Sequence, residues 1–530
     1  MRSDGSMLKK AGTSLVSCTR RKAWSQRISG SIIGEVFPVP SRLEECNSNN
    51  PLLYGPIIHP LNRIENDMSK NTRNTQQLST KTSGVAPIPK HLEHINIWAA
   101  GIDIGATSHF VAVPEGCCDG KTVREFKTFT TGLNELADWL RQCGIKTVAM
   151  ESTGVYWIPV YELLEEKGFE VKLVDARQVK NVSGRKTDVL DCQWIQQLHT
   201  YGLLNGAFRP IDEVCELRAY IRQRSMLVKS ASRYIQQMQK ALTQMNLQLH
   251  HVISDITGDT GMKIIRAIDK GERDPIVLAE YRDHRCKSSI ADIKAALTGN
   301  YRAEHLFCLK QSLELYDLFQ EKILACDSEI ESKMAKFGTD SRVVDVPANE
   351  LNPSKKKVAK NSPTFNLGSE LHRLTGVDLL AVPGINTVTA MQLIGEIGLD
   401  MTQWNNAKQF ASWLGLCPGN KVSGGKRLSG KTKPSNNRAA ATLRMAASTL
   451  YRSSTALGAY LRRLKAHKGP MKAITATAHK LAKIIYNMLR HGTEYAEAGQ
   501  QYYEEQYRDR SIRNLKKRAA ELGLSLVEMT

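Results

Sequence analysis

Residues 95–129 read INIWAAGIDIGATSHFVAVPEGCCDGKTVREFKTF, and this stretch decides the fold of the first folded region. Short apolar or alternating runs at 95–104, 109–114 and 123–129 are separated by turn residues at 105–107 and 116–120. Runs of that length, punctuated in that way, predict the three strands of an antiparallel meander. Downstream, Leu133, Leu136 and Leu140 predict a helix, 147–150 a strand, 155–167 a helix, 170–174 a strand, and a further helix holds Asp188 to Leu198. Three strands followed by alternating helix and strand predict an α/β mixed sheet with helices on its faces. That is the element order of a ribonuclease-H-like (RuvC-like) domain.

Working outward, residues 1–90 are rich in Ser, Asn, Arg and Pro and lack periodicity, which predicts disorder. Met68 is a workable start within them. Beyond the mixed sheet, Val214, Leu217, Ile221, Arg224, Val228, Ala231, Ile235, Met238, Leu242, Met245, Leu249 and Val252 step by alternating threes and fours. All but Arg224 are apolar, so the pattern predicts one long coiled-coil helix. Tyr316, Phe319, Ile323, Cys326 and Ile330 predict a helix returning alongside it. Sequence does not choose between an intramolecular hairpin and a seam between two chains. The expected organisation is a basic, disordered extension (1–90), the RuvC-like domain (91–208), a coiled-coil helical segment (209–337), a linker (338–370), a mostly helical C-terminal domain (371–492) and a charged helical tail (493–530).

The chain has 530 residues, enough for several cores, and a net charge of +20. Between 401 and 490 there are 17 Lys+Arg and no Asp or Glu, so the other 440 residues carry only +3. A block without a carboxylate repels itself unless a polyanion neutralises it, and nucleic acid is the usual one. A solvated basic face normally intersperses acids. No apolar run approaches the roughly 18–20 residues of a bilayer span, and the N-terminus has no apolar segment of a secretory signal. Eleven cysteines without a CxxC pair predict a reducing, cytoplasmic setting and no zinc site.

Four acids stand out. Asp103 closes the first strand, Glu151 ends a later one, and Asp188 and Asp191 lie three apart on one helix face. Each alone has a plain explanation as turn former, cap or solvated residue. Gathered at one sheet edge, they need a cation, and hard oxygen ligands suit Mg²⁺ in phosphoryl transfer. In the basic block, the segment 380–390 resembles the hairpin of a helix-hairpin-helix motif, whose turn at Gly384 aims backbone N–H groups at a phosphate. Residues 425–432 match GxxxxGK[ST], but Pro418–Gly419–Asn420 precede them and Pro434 follows, so the strand–loop–helix context of a P-loop is missing. The same segment reads better as a mobile, Gly-rich, cationic loop. In it Ser423 is a candidate nucleophile, and Lys421, Lys426, Arg427, Lys431, Lys433 and Arg438 are candidate phosphate contacts. Ser429 and Ser435 are nearly as eligible as Ser423.

In this order, Asp103, Glu151, Asp188 and Asp191, the coiled coil, Pro383–Gly384 and the 423–427 loop resemble the insertion-sequence transposases of the "IS one-ten" family, the bridge-RNA-guided DNA recombinases. The resemblance spans about 95–510 and extends to 444–447 and 472–480. It implies a DEDD site holding Mg²⁺ at the four acids and a catalytic Ser423 that becomes joined to DNA. It also implies donor and target DNA and a guide (bridge) RNA as partners. A homo-oligomer, dimer or tetramer, would bring the acids of one protomer to the serine of another. A bacterial cytoplasmic, nucleoid-associated protein with no membrane partner follows. Two other classes remain: a RuvC-like structure-specific endonuclease that hydrolyses with water alone, and a non-catalytic nucleic-acid-binding scaffold.

Overall fold

The computed structural model describes residues 95–118, 120–152, 154–179, 187–337 and 361–527. The expectations for 1–90, including a start at Met68, lie outside these residues, as does 338–360 of the expected linker. The chain divides into two units, Met1–Ala86 and Pro87–Thr530, and every described residue belongs to the second.

The first strands are β1 (Ala99–Ile104), β2 (Ser108–Ala112) and β3 (Val123–Lys127); after α1 (Thr130–Gln142) come β4 (Thr147–Glu151), α2 (Trp157–Glu166) and β5 (Glu170–Val174). The sheet order is β3-β2-β1-β4-β5, antiparallel on the β3-β2-β1 side and parallel across β1-β4-β5. The mixed sheet is therefore as the sequence predicts. The predicted helix at 155–167 begins two residues later, because Gly154 turns the chain with φ 59°. After the short α3 (Ala176–Val179), α4 (Asp188–Thr200) starts under a side-chain cap, the Thr187 hydroxyl accepting from Leu190 N–H.

Alternation along the strands gives the sheet two differently covered faces. Ala100, Ile102 and Ile104 of β1 join Val148 and Met150 of β4 in a core with Leu133, Leu136 and Leu140 of α1 and Leu164 of α2. On the opposite face Ala149 and Val174 pack with Ile195 and Leu198 of α4. Gly101 lies on this second face, and a Cβ there would stand 2.2 Å from Gln196 N and 2.4 Å from Cys192 O. Only glycine lets α4 lie this close to β1.

The predicted coiled coil is an antiparallel hairpin within one chain. α5 (Asp212–Gln244) packs along α10 (Ala303–Lys336), with Tyr234 stacked on Phe319 at 5.4 Å and Lys333 Nζ 2.5 Å from Glu216. The seam is shorter than the sequence pattern suggests. α5 stops at Gln244, and Asn246 takes a left-handed φ of 60°. Met245, Leu249 and Val252 belong instead to a small cap of α6 (Leu249–Val252), α7 (Asp259–Asp269), α8 (Pro275–Glu280) and α9 (Ile290–Ala296), built on its own core. Arg224, the one charged seam position, is 3% exposed and paired with Asp327 of α10, itself 2% exposed.

The C-terminal region is α11 (Leu367–Thr375), a 3-10 turn (Leu379–Ala381), α12 (Thr387–Ile397), α13 (Ala407–Trp413), a hairpin of β6 (Lys421–Ser423) and β7 (Lys426–Ser429), α14 (Arg438–Thr449), α15 (Ala456–Lys468), α16 (Pro470–His491) and α17 (Gly499–Glu521). Its apolar core takes in Leu217 and Ile221 of α5 and Ile330 and Met334 of α10. Arg218 fixes the join by donating to the carbonyls of Gly395 (2.8 Å) and Glu396 (2.9 Å) at the end of α12. Arg222 grips the Glu396 carboxylate with two bonds of 2.9 and 2.7 Å. Among the described residues no helix is long and apolar enough to cross a membrane.

Candidate functional site

The strand register brings the acids together. Ile102 pairs with Met150 in the parallel β1-β4 ladder, so Asp103 and Glu151, one residue on in each strand, sit side by side at the C-terminal ends of β1 and β4. Both belong to the face that α4 covers, since Asp103 shares the side of Gly101, and Glu151 that of Ala149. Asp188 and Asp191 fill the first turn of α4, and the close approach at Gly101 holds that helix over β1. Carboxylates in a first helical turn also face the positive end of the helix dipole. Gly101 was not singled out from sequence as part of the site. Its signal was a glycine inside a strand, two residues before a same-face acid.

The electrostatics agree with this placement. The Asp103 carboxyl is raised from 3.8 to about 6, first by burial and then by the charges of Asp188, Asp191 and Glu151, against a hydrogen bond from the Ile104 backbone that lowers it. Cys192, a fully buried residue of α4, has its thiol pushed up to about 12 by burial and then by Asp103. The four acids thus lie near enough for their charges to act on Asp103, and hard oxygen donors of this kind suit a divalent cation. Among the described residues, no three His, Cys, Asp or Glu side chains stand close enough as they are to hold a metal ion.

The basic segment is not the mobile loop expected from its glycines. It folds as a two-stranded hairpin, with Ser423 paired to Lys426 and Val422 to Arg427 across a two-residue turn. Gly424 (φ 54°) and Gly425 (φ 73°) both supply the positive φ that such a turn demands. Strand β7 runs through the middle of the P-loop look-alike, so its backbone N–H groups cannot wrap a phosphate as a P-loop does. The hairpin's root is closed by Gly419 N–H donating to Lys431 O at 3.0 Å. Ser429 accepts from Lys431 N–H (3.2 Å), and Ser435 accepts from Asn437 N–H (3.2 Å) while donating to Leu414 O (3.4 Å). Of the three serines considered, only Ser423 makes no side-chain hydrogen bond to a described residue.

Lys421, Lys426, Arg427, Lys431, Lys433 and Arg438 are all exposed, and none is ion-paired to a described carboxylate. Gly384 behaves differently. Its φ is 85°, and a Cβ would stand 2.8 Å from Ala446 O of α14, so this glycine serves close packing beneath the turn. The following helix, α12, is capped by Asn386, whose side chain accepts from Thr389 N–H at 2.8 Å. The structure does not join the two halves of the candidate site. No hairpin cation is among the charges acting on Asp103, and β6 and β7 share no substantial packing with the sheet.

A model of DEDD-type IS110 transposases matches residues 100–247, which hold all four acids and α5. A second, for transposases of the IS116/IS110/IS902 family, matches residues 378–462, which hold Gly384 and the whole hairpin. No curated protein matches the chain. The DEDD match suggests a divalent metal at the acids. The two matches fall in chain order on the two regions that carry the candidate residues, and the chain belongs to the IS110 family of transposases.

Proposed function

We propose that this chain is a site-specific DNA transposase (recombinase) whose sheet is a RuvC-like, ribonuclease-H-like domain, and whose chemistry divides between the acid rim and the serine hairpin. The convergence of Asp103, Glu151, Asp188 and Asp191 at one edge carries this reading. Mg²⁺ held by these four would neutralise charge on the attacking and leaving oxygens of a phosphodiester. Ser423 is the nucleophile. Attack by its Oγ forms a serine–phosphate ester and breaks one P–O bond of the strand. The displaced oxygen leaves as a hydroxyl on taking up a proton, and the serine proton passes to solvent. Rejoining is the same exchange in reverse, with a strand hydroxyl attacking and Ser423 leaving. Lys426, directly opposite Ser423, supports this role by offering positive charge where the phosphate must sit, and Lys421, Arg427, Lys431, Lys433 and Arg438 extend it along the backbone.

Within one chain the hairpin stands apart from the rim, which favours a homo-oligomer in which one protomer's acids meet another's Ser423. Donor and target DNA are the substrates. A bridge RNA as guide is part of this reading, and the exposed, unpaired cations of the hairpin are in keeping with a nucleic-acid partner of that kind. The same separation favours a second reading, metal-dependent hydrolysis by a rim that never needs Ser423. The deciding experiment incubates wild type and Ser423→Ala with Mg²⁺, labelled element-junction and target DNA, and RNA from the element's noncoding ends. Label retained on wild-type protein in a denaturing gel, and absent from the variant, supports the serine route. Equal cleavage by both without an adduct supports hydrolysis and removes Ser423.

A further inference from the structure

The turn that leads out of β4 carries more than Glu151. Ser152 closes it onto β5, donating to Val174 O from its backbone N–H at 3.0 Å and from its hydroxyl at 3.1 Å. Gly154 then reverses the chain with φ 59°, and Ile158 N–H donates to Val155 O at 3.2 Å where α2 begins. The Tyr156 ring lies against this turn: a Cβ on Gly154 would stand 3.4 Å from its Cδ2 and 3.5 Å from its Cε2. That contact takes up one side of the ring. Tyr156 is still 48% exposed, and Val155 beside it is 67% exposed. The helix that brings the other two acids shows the same feature. Val189 and Leu190, between Asp188 and Asp191 in the first turn of α4, are exposed, as is Ile158 of α2.

Single exposed apolar side chains are ordinary, but five of them in the two segments that deliver the acids give the charged rim an apolar border. Whatever covers this border must also live beside the carboxylates. They repel a phosphate until a cation sits among them, so a strand at the rim gains most from contacts that carry no charge. A nucleobase offers such a contact through its faces, and an aromatic ring is the side chain that takes it. The position fits a strand already engaged at the acids. Gly154 follows Glu151 by three residues, a span of at most about 11 Å, and bases follow one another along a strand at about 3.4 Å. The ring braced on Gly154 therefore lies within about three or four base steps of a phosphodiester at the rim.

We propose that Tyr156 is a platform on which one unpaired base of the reacting strand stacks while the acid rim holds a nearby phosphodiester. This rests on the reading of the rim given above and adds a positioning residue to it. The turn supplies the rigidity: Ser152 ties it to β5, and the Gly154 backbone backs the ring, so the platform is in place before the strand arrives. Stacking uses the face common to all bases, so the contact carries little sequence preference of its own.

The test uses the full chain and single-stranded element-junction oligonucleotides carrying 2-aminopurine at successive positions, with fluorescence and anisotropy read in Mg²⁺ and in chelator. Tyr156→Phe keeps the ring, Tyr156→Leu keeps apolar bulk without it, and Tyr156→Ala removes both. In wild type and Tyr156→Phe, Mg²⁺ should quench the probe at one or two positions. Tyr156→Ala and Tyr156→Leu should lose that quenching and bind about five- to 150-fold more weakly in Mg²⁺, the worth of one stacked base. Affinity in chelator and thermal midpoints should be the same in every protein. If Tyr156→Leu behaves as wild type while Tyr156→Ala fails, the border is an apolar docking surface, as for a second copy of the chain, and the platform is overturned. Mg²⁺-dependent quenching that is equal in every protein overturns it too, and leaves the rim's role standing. Weaker binding that tracks a lowered thermal midpoint reduces Tyr156 to bracing the turn, and overturns it equally. A wild type whose binding does not respond to Mg²⁺ fails the reading of the rim itself, and the platform with it.

Discussion

Asp327→Ala should be among the most damaging single changes in the α5–α10 hairpin. Arg224 donates Nε and Nη2 to the two carboxylate oxygens of Asp327, the second bond at 3.2 Å, and Nη2 also to the Asn361 carbonyl at 2.9 Å. With both residues at most 3% exposed, removing the carboxylate strands a guanidinium in a seam that buries Ile221, Leu227 and Ile323. Breaking a buried pair from one side costs about 3–5 kcal/mol. The surviving Asn361 bond places this case near the lower end. Replacing both partners, Arg224→Leu with Asp327→Leu, removes the charge altogether. Such swaps range from neutral to stabilising by about 1–4 kcal/mol. Here the Asn361 carbonyl loses its donor, a loss of about 1–3 kcal/mol that offsets the gain. The double variant should therefore centre on the stability of wild type, within about 3 kcal/mol either way. A chain of several cores will not unfold in one step, so the readout is native-state hydrogen exchange in peptides of α5 and α10. Asp327→Ala should speed exchange there by at least about a hundredfold, at tenfold per 1.4 kcal/mol, and the double variant should restore most of the protection. A single variant within tenfold of wild type, or a double variant no better than the single, refutes the desolvation argument.

Three further outcomes follow from the site. The folded-state carboxyl of Asp103 titrates above its ordinary value, so the metal-free protein binds more protons when folded. The contribution of this carboxyl to stability is then greatest below about pH 4 and is lost as pH rises to about 6, while the buried His199 imidazole, lowered to about 4, works in the opposite sense over the same range. A rise from 3.8 to about 6 corresponds to about 3 kcal/mol, which partial exposure reduces to about 1–2 kcal/mol. In chelator, the thermal midpoint of wild type relative to that of Asp103→Asn should show this fall with pH, and Mg²⁺ should reverse that difference. Gly101→Ala should cost roughly 1–3 kcal/mol by overpacking α4 against β1 and weaken the Mg²⁺-induced shift in midpoint; an unchanged shift would mean α4 does not position Asp188 and Asp191. Changing both Gly424 and Gly425 to Val should cost about 1–2 kcal/mol at each left-handed position and open the hairpin. DNA adducts should then be lost while the Mg²⁺ shift is kept, and loss of both would join what the structure keeps apart.

Much of the sheet was legible because strand burial follows a period of two and turn residues punctuate it. The pairing of Asp103 with Glu151 was legible as an expectation of gathering, not as a register, since register depends on how parallel strands align across α1. The hairpin was misread as a mobile loop for a physical reason. Its strands are short and exposed, with Val422 60% and Leu428 68% accessible, so no burial pattern marks them. The double glycine was the available signal, because two adjacent residues of positive φ between short polar runs are what a two-residue hairpin turn needs. The cap of α6 to α9 was not read from the sequence either. Its helices span only four to eleven residues, and α7 alone is long enough to show a repeating buried stripe, at 260, 261, 264, 265 and 268.

Arg224 shows how far the undecided seam was decidable. In a parallel pairing of two copies of α5, every residue of the seam meets its own equivalent, so Arg224 would face Arg224 in a dry interface. Two unpaired guanidinium groups there would each carry a desolvation penalty of several kcal/mol, with repulsion added. A partner helix in the same chain escapes this if it offers a carboxylate at the matching level. The returning helix carries its predicted seam at Tyr316, Phe319, Ile323, Cys326 and Ile330, and Asp327 is the acid within that run that lies on the buried side. In an antiparallel hairpin, moving from Tyr234–Phe319 toward Glu216–Lys333 passes Arg224 at the level of Asp327. The exception in the apolar pattern was therefore its most informative position. The family match covering α5 ends at residue 247, before α10 begins, so the half of the seam that answers Arg224 lies outside it. The structure supplies that half, and with it the carboxylate of the same chain that answers Arg224.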